Sequence, residues 1–140
     1  MGFDQLFGIS EFGLNFERLR LEAAARNLAM ANTVMADGAT VRPLRVSAMR
    51  RAEGSPFDSL INGEALPTVT ISEAPAGARI VHDPDSPLAD AKGNVRYPDI
   101  DPVEQMTTLI TAQRAYEANI RAINAMRSMI LSAIGIGGQR

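Results

Sequence analysis

Residues Asp101 to Ile134 read DPVEQMTTLITAQRAYEANIRAINAMRSMILSAI. After Pro102 no proline or glycine interrupts this run. Apolar or small residues recur at alternating steps of three and four: Leu109, Ala112, Tyr116, Ile123, Met126, Ile130 and Ala133, with Asn119 the one polar member. That is the spacing of one face of an α-helix. Asp101 suits the N-cap, Pro102 the first helical position and Glu104 the third, as in a capping box. Gly135, Gly137 and Gly138 mark an expected stop. A helix of about 33 residues spans roughly 50 Å at 1.5 Å per residue. It cannot bury its apolar seam alone, so it predicts a partner helix.

Residues 1–34 read as that partner helix. Phe7, Leu14, Leu21 and Leu28 fall every seven residues, and Ser10, Glu17, Ala24 and Ala31 take the companion positions. A second stripe of Phe12, Phe16, Leu19 and Ala23 widens the apolar face. Gly8 and Gly13 each weaken a helix by up to about 1 kcal/mol relative to Ala. The strongest helix is therefore expected from Leu14 to Ala31, ending at Asn32-Thr33, and its alanines permit close approach of another backbone.

Between the helices the chain changes character. Seven of its 8 prolines lie in residues 35–98. Short β-type runs occupy Thr40–Met49, Pro67–Ser72, Ala78–Val81 and Asn94–Tyr97. Turn signals separate them at Asn62-Gly63, Ala76-Gly77, Asp83-Pro84 and Lys92-Gly93. Arg50–Ala65 is polar and carries Gly, Ser and Pro, and is expected to be mobile or ordered by contact. The fold class is thus mainly α with a small β insert (α+β). Residues 1–34 and 99–138 would form one discontinuous helical domain and residues 35–98 a loop-rich insert. The two helices would pair as an antiparallel, coiled-coil-like hairpin. Leu6, Phe12, Phe16, Met106, Ile110, Ile120 and Leu131 lie off the main seam, and such surplus apolar surface points to assembly.

Composition narrows the function classes. The chain has 140 residues, 46% hydrophobic and 5% aromatic, so Ala, Leu, Ile and Met must do the packing. Fourteen bases against 16 acids leave a formal charge of -2, which gives no general attraction for nucleic acid or an anionic membrane. The insert is also balanced, and its run Arg42, Arg45, Arg50 and Arg51 lacks interleaved aromatics, so nucleic-acid binding is not expected. There is no Cys, hence no disulfide or thiol chemistry. No run is long and apolar enough to span a bilayer, and no cleaved signal is expected at the N-terminus. His82 stands beside Asp83 and Asp85, and Asp90 to Asn94 has a superficial likeness to part of a calcium loop. Both fit ordinary turns better than metal sites, so no metal or cofactor is expected. No nucleophile elbow, phosphate loop or paired carboxylates on one helix face occur, so the chain reads as a non-enzyme.

Asn27, Asn32, Asn119 and Asn124 lie in or beside the helices, near small or apolar faces. They are either partly exposed and neutral, or buried amides that set register and partner choice.

The segment Arg26-Asn-Leu-Ala-Met-Ala-Asn-Thr33 resembles the Asn-Asn-Ile-Ala-Asn-Ala-Asn-Thr signature of bacterial flagellar rod and hook axial proteins. So do Arg79-Ile-Val-His-Asp-Pro84, the Lys92-Gly-Asn94 turn, Tyr97-Pro-Asp-Ile-Asp-Pro-Val-Glu-Gln-Met106 and Ala112-Gln-Arg-Ala-Tyr-Glu-Ala-Asn119. The approach to the second helix and the short length are similar to the proximal-rod branch of that family. Arg26 and Met30 stand where the family often has Asn, the family's Tyr-Arg-Arg-Lys stretch is reduced to Val41–Arg45, and residues 50–66 match nothing in the pattern. The resemblance implies a structural subunit of the basal-body rod, in the periplasm. Such a subunit is exported through the flagellar type III apparatus without a cleaved signal. It polymerises helically with copies of itself and other rod proteins, with no direct membrane insertion. Leu14, Leu21, Leu28, Leu109, Tyr116, Ile123, Met126 and Ile130 would then form the helical core. Asn27, Asn32, Glu117 and Asn119 would carry inter-subunit specificity. The rival class is a soluble homo-oligomeric helical adaptor module.

Overall fold

The computed structural model describes residues 3–36, 39–49 and 67–137. Among these, helix α1 (Phe3–Ala31) is followed by strands β1 (Leu44–Met49), β2 (Thr68–Glu73), β3 (Ala78–His82) and β4 (Asn94–Pro98), then helix α2 (Pro102–Gly137). The class is α+β. The strands match the expected runs to within a few residues. The Asn62-Gly63 turn and the expected mobility of Arg50–Ala65 lie outside the described residues.

α1 lies within the expected residues 1–34, and α2 runs past its expected stop. α1 runs through Gly8 and Gly13 back to Phe3. α2 starts where its cap demands, with Asp101 Oδ1 accepting the Val103 N–H at 2.9 Å. It then continues past Gly135 to Gly137 instead of stopping. Glycine weakens a helix without breaking it. At 1.5 Å per residue the 36 residues of α2 reach about 54 Å.

The strands form two separate antiparallel pairs. β1 pairs with β2 from Leu44 opposite Glu73 to Met49 opposite Thr68. Its one face is half-buried at Leu44, Val46 and Val69, while the other carries exposed Arg45, Ser47, Thr70 and Ser72. This is the period of two expected of a one-sided sheet. β3 pairs with β4 from Ala78 opposite Pro98 to His82 opposite Asn94. On the far side of β4, the Met35 N–H donates to the Arg96 carbonyl at 2.8 Å, so the segment leaving α1 docks there. Val95 and Pro98 are the largest fully buried side chains, and they give the insert its small core.

α1 and α2 pack along each other. Gly13 lies against the Asn119 side chain, and Asn27 reaches Gln105. These contacts follow in opposite order along the two helices. The most buried positions between elements are small: Ala23, Ala24, Ala31 and Ala112. The leucine heptad is only half-buried at Leu14, Leu21 and Leu28.

A candidate assembly surface on the paired helices

Burial along α2 follows the three-and-four spacing over most of its length. Leu109, Tyr116, Asn119, Ile123, Met126 and Ile130 are half-buried and Ala112 is fully buried. Ala133 is exposed. α1 begins ten residues before Gly13, which brings its first turn level with Met129. By that register α2 extends about eight residues, or about 12 Å, past the first described turn of α1. Leu131, Ile134 and Ile136 in that overhang are 61%, 66% and 78% exposed. Val103, Met106, Ile110 and Ile120 continue the exposed apolar surface along α2. Covering one such side chain stabilises a contact by about 1.5–3 kcal/mol.

The four specificity candidates do not lie together. Asn32 and Glu117 are exposed. Glu117 accepts from Gln113 at 3.4 Å and lies 3.8 Å from Arg121, contacts worth little at an open surface. Asn119 is half-buried between the helices, where a Cβ on Gly13 would stand 2.9 Å from its Nδ2. A glycine at position 13 therefore makes room for the amide. Asn27 is only 3% exposed and its polar atoms are engaged within the chain. Asn124 is exposed.

Sequence reasoning missed two features of this region. Glu17 is buried and ion-paired to Arg20 at 2.9 Å, while the Arg20 guanidinium lies over the Phe16 ring at 5.7 Å. Phe16 in turn stacks on Phe12 with centroids 6.1 Å apart. The spacing of Phe16, Glu17 and Arg20 within one helical turn was the available signal. Secondly, a groove of about 330 Å³ opens where α1, β1 and the start of α2 meet, lined by Arg20, Asn27, Arg45, Asp99, Glu104 and Gln105 among others. That junction depends on chain approach and has no sequence signal.

In the insert, Asp90 organises the β3–β4 turn. Its Oδ1 accepts the Lys92 N–H at 2.8 Å and the Asn94 N–H at 2.9 Å, and Gly93 takes the positive φ of 74° that the turn requires. Those backbone donors, Asn94 first and Lys92 second, hold the Asp90 carboxyl below its ordinary pKa. His82 Nδ1 lies 3.3 Å from Asn94 Oδ1. Among the described residues no three His, Asp or Glu side chains are grouped to hold a metal ion, and no helix is long and apolar enough to cross a membrane. Arg42 is exposed and 3.4 Å from Glu73, Arg45 is exposed, and Arg50 and Arg51 lie outside the described residues.

Comparison with known proteins gives the family. Residues 91–136, which hold β4 and nearly all of α2, match the family model described as flagellar basal body rod FlgEFG protein C-terminal. The chain is 35% identical to the flagellar basal-body rod protein FlgC of Salmonella typhimurium, covering 94% of this chain and 96% of the relative. It is 31% identical to FlgC of Bacillus subtilis over 92% and 94% of the two chains. With FlgC of Borreliella burgdorferi the identity is 32%, over 97% and 98%. Similarity at this level along nearly the whole length leaves no large part of the fold unaccounted for: the chain belongs to the FlgC family of flagellar basal-body rod proteins.

Proposed function

We propose that this chain is a structural subunit of the proximal rod of the bacterial flagellar basal body. It polymerises helically with copies of itself and with other rod proteins, and the assembly transmits torque across the periplasm. The observation that carries the reading is the bare apolar surface of α2, in a chain similar along its length to FlgC proteins. Head-to-tail contacts that do not close a ring build a helical filament. The overhang of α2 gives each subunit apolar surface that another chain can cover.

In this reading residues 1–34 and 99–138 form the axial domain, with α1 and α2 as an antiparallel, coiled-coil-like hairpin. The opposite order of the Gly13–Asn119 and Asn27–Gln105 contacts supports that pairing. Residues 35–98 form an outward insert that meets neighbouring subunits. Leu14, Leu21, Leu28, Leu109, Tyr116, Ile123, Met126 and Ile130 are the helical core. Their half-burial in the single chain leaves each of them surface to give to a neighbour. Exposed Asn32 and Glu117 touch other subunits directly, whereas Asn27 and Asn119 influence specificity from inside the helix pair. Export proceeds through the flagellar type III apparatus without a cleaved signal.

Ile123→Asp tests the reading by placing a charge in the seam between the helices. Expression is expected to persist while rod assembly and motility are lost. Normal motility in that variant would overturn it, and discrete closed oligomers of the purified chain would favour a soluble adaptor instead.

A further inference from the structure

Asn27 is the one side chain hydrogen-bonded to both the insert and the second helix among the described bonds. Its Oδ1 accepts the Leu44 N–H at 2.8 Å. Its Nδ2 donates to the Leu44 carbonyl at 2.9 Å and to Gln105 Oε1 at 3.0 Å. One acceptor bond and two donor bonds engage both polar atoms of the amide. The orientation of the amide is dictated by its partners, because the Leu44 N–H can only donate and its carbonyl can only accept. The Asn27 side chain thus pairs with both main-chain groups of the first residue of β1, much as a neighbouring strand residue would. It does so while 3% exposed, where a lost bond is not replaced by water.

We propose that Asn27 is the positioning residue that sets the angle at which the β1–β2 pair leaves the helices. β1 reaches α1 on one side of a groove whose other side is the start of α2, and Asn27 lies in its lining. The two bonds to Leu44 fix both the register of β1 along α1 and its rotation about its own axis. A single contact would leave that rotation free. The third bond, to Gln105, ties the same amide to α2, so a shift of the helices is felt by the insert. In an assembly whose insert meets neighbouring subunits, this angle decides which surface each neighbour is offered. The inference rests on the paired-helix reading above, and the test separates the two.

The chain has no Cys, so introduced cysteines report without background. In the full-length protein, spin labels at Ala25→Cys and Thr70→Cys measure the helix-to-insert distance. Labels at Ala25→Cys and Ala118→Cys measure the helix-to-helix distance. All of these positions are exposed. With Asn27 intact both distance distributions are expected to be narrow. Asn27→Leu broadens the first at least twofold and leaves the second unchanged. Asn27→Asp supplies a readout that a purely structural role would not move. The ionised carboxylate keeps the Leu44 N–H bond but faces the Leu44 carbonyl with a second acceptor. The protonated acid regains a donor and restores both bonds. Burial and the groove's Asp99, Asp101 and Glu104 raise the pKa of the new carboxyl, while Arg20, Arg45 and the Leu44 N–H lower it. Its helix-to-insert distribution is broad where the carboxylate is ionised and narrows as acidification protonates it.

A helix-to-insert distribution that stays narrow in Asn27→Leu and in Asn27→Asp at neutral pH would overturn the inference. So would an Asn27→Asp distribution with no pH dependence. A broad helix-to-helix distance in the unsubstituted chain would overturn the paired-helix reading and this inference with it. If Asn27→Leu fails to fold, the Asn27→Asp pH response decides alone.

Discussion

The two ends of α2 are built on opposite terms. From Gln105 to Ala112 it lies against the alanine-rich part of α1, where Ala23, Ala24, Asn27, Ala31 and Ala112 are all buried. From Leu131 to Ile136 every residue is exposed, although Leu131, Ile134 and Ile136 are as apolar as anything in the chain. The first end is closed by small residues that let two backbones approach and by an amide whose bonds are all made. At the second, large apolar side chains are mostly exposed among the described residues. The chain closes its insert-proximal end with its own residues, whereas the distal end presents apolar surface that another chain would cover in the proposed assembly. In that proposal one helix serves both folding and assembly, in separate stretches.

The sharpest way to break this contrast is to charge the distal end. Leu131→Asp combined with Ile134→Asp is expected to abolish assembly, read as loss of motility and of rods in purified basal bodies. The melting midpoint of the dilute chain should stay within a degree or two, since neither side chain is buried there. A large drop in that midpoint would show that the distal end is packed within the subunit after all. At the proximal end the expectation reverses. Ala112→Leu forces extra methyl and methylene groups into a fully buried site and should destabilise the isolated chain by about 1–3 kcal/mol, measured by denaturant unfolding. An unchanged midpoint would mean that the helices do not approach closely at Ala112.

Gly13 and Asn119 sharpen the comparison at a smaller scale, midway along the pair. Gly13→Ala alone gains helix propensity but places a Cβ 2.9 Å from the Asn119 Nδ2, so the amide must shift and part of the gain is offset. In an Asn119→Ala background the obstruction is gone, and the same Gly13→Ala change should stabilise by up to about 1 kcal/mol. Equal effects in both backgrounds would remove Asn119 from the interface.

Much of this arrangement was legible in the residues. Capping by Asp101, Pro102 and Glu104 located the start of α2, and the three-and-four spacing identified its inner face as far as Ile130. The strands were readable because β-type runs sit between strong turn signals, as at Lys92-Gly93. Other features were not readable. Ala24 and Ala112 are buried more deeply than the leucine heptad because close helix approach favours the smallest side chains, and approach distance is a property of the pair. Gly135 is a local stop signal, yet α2 continues to Gly137, because a glycine lowers helix propensity without removing an N–H donor.

The amides mark the division most clearly. Asn27 and Asn32 sit five positions apart in one segment, and local chemistry treats them alike. One is buried with three hydrogen bonds and the other is exposed. By itself the sequence determined that two long amphipathic helices bracket a small β insert and carry more apolar surface than one pairing consumes, since period and capping are local properties. Only the tertiary structure decided which amide is a joint and which is surface, and which apolar residues are left bare. Those outcomes depend on where β1 crosses α1 and where α1 runs out beside α2, and both are set by contacts between residues far apart in the chain.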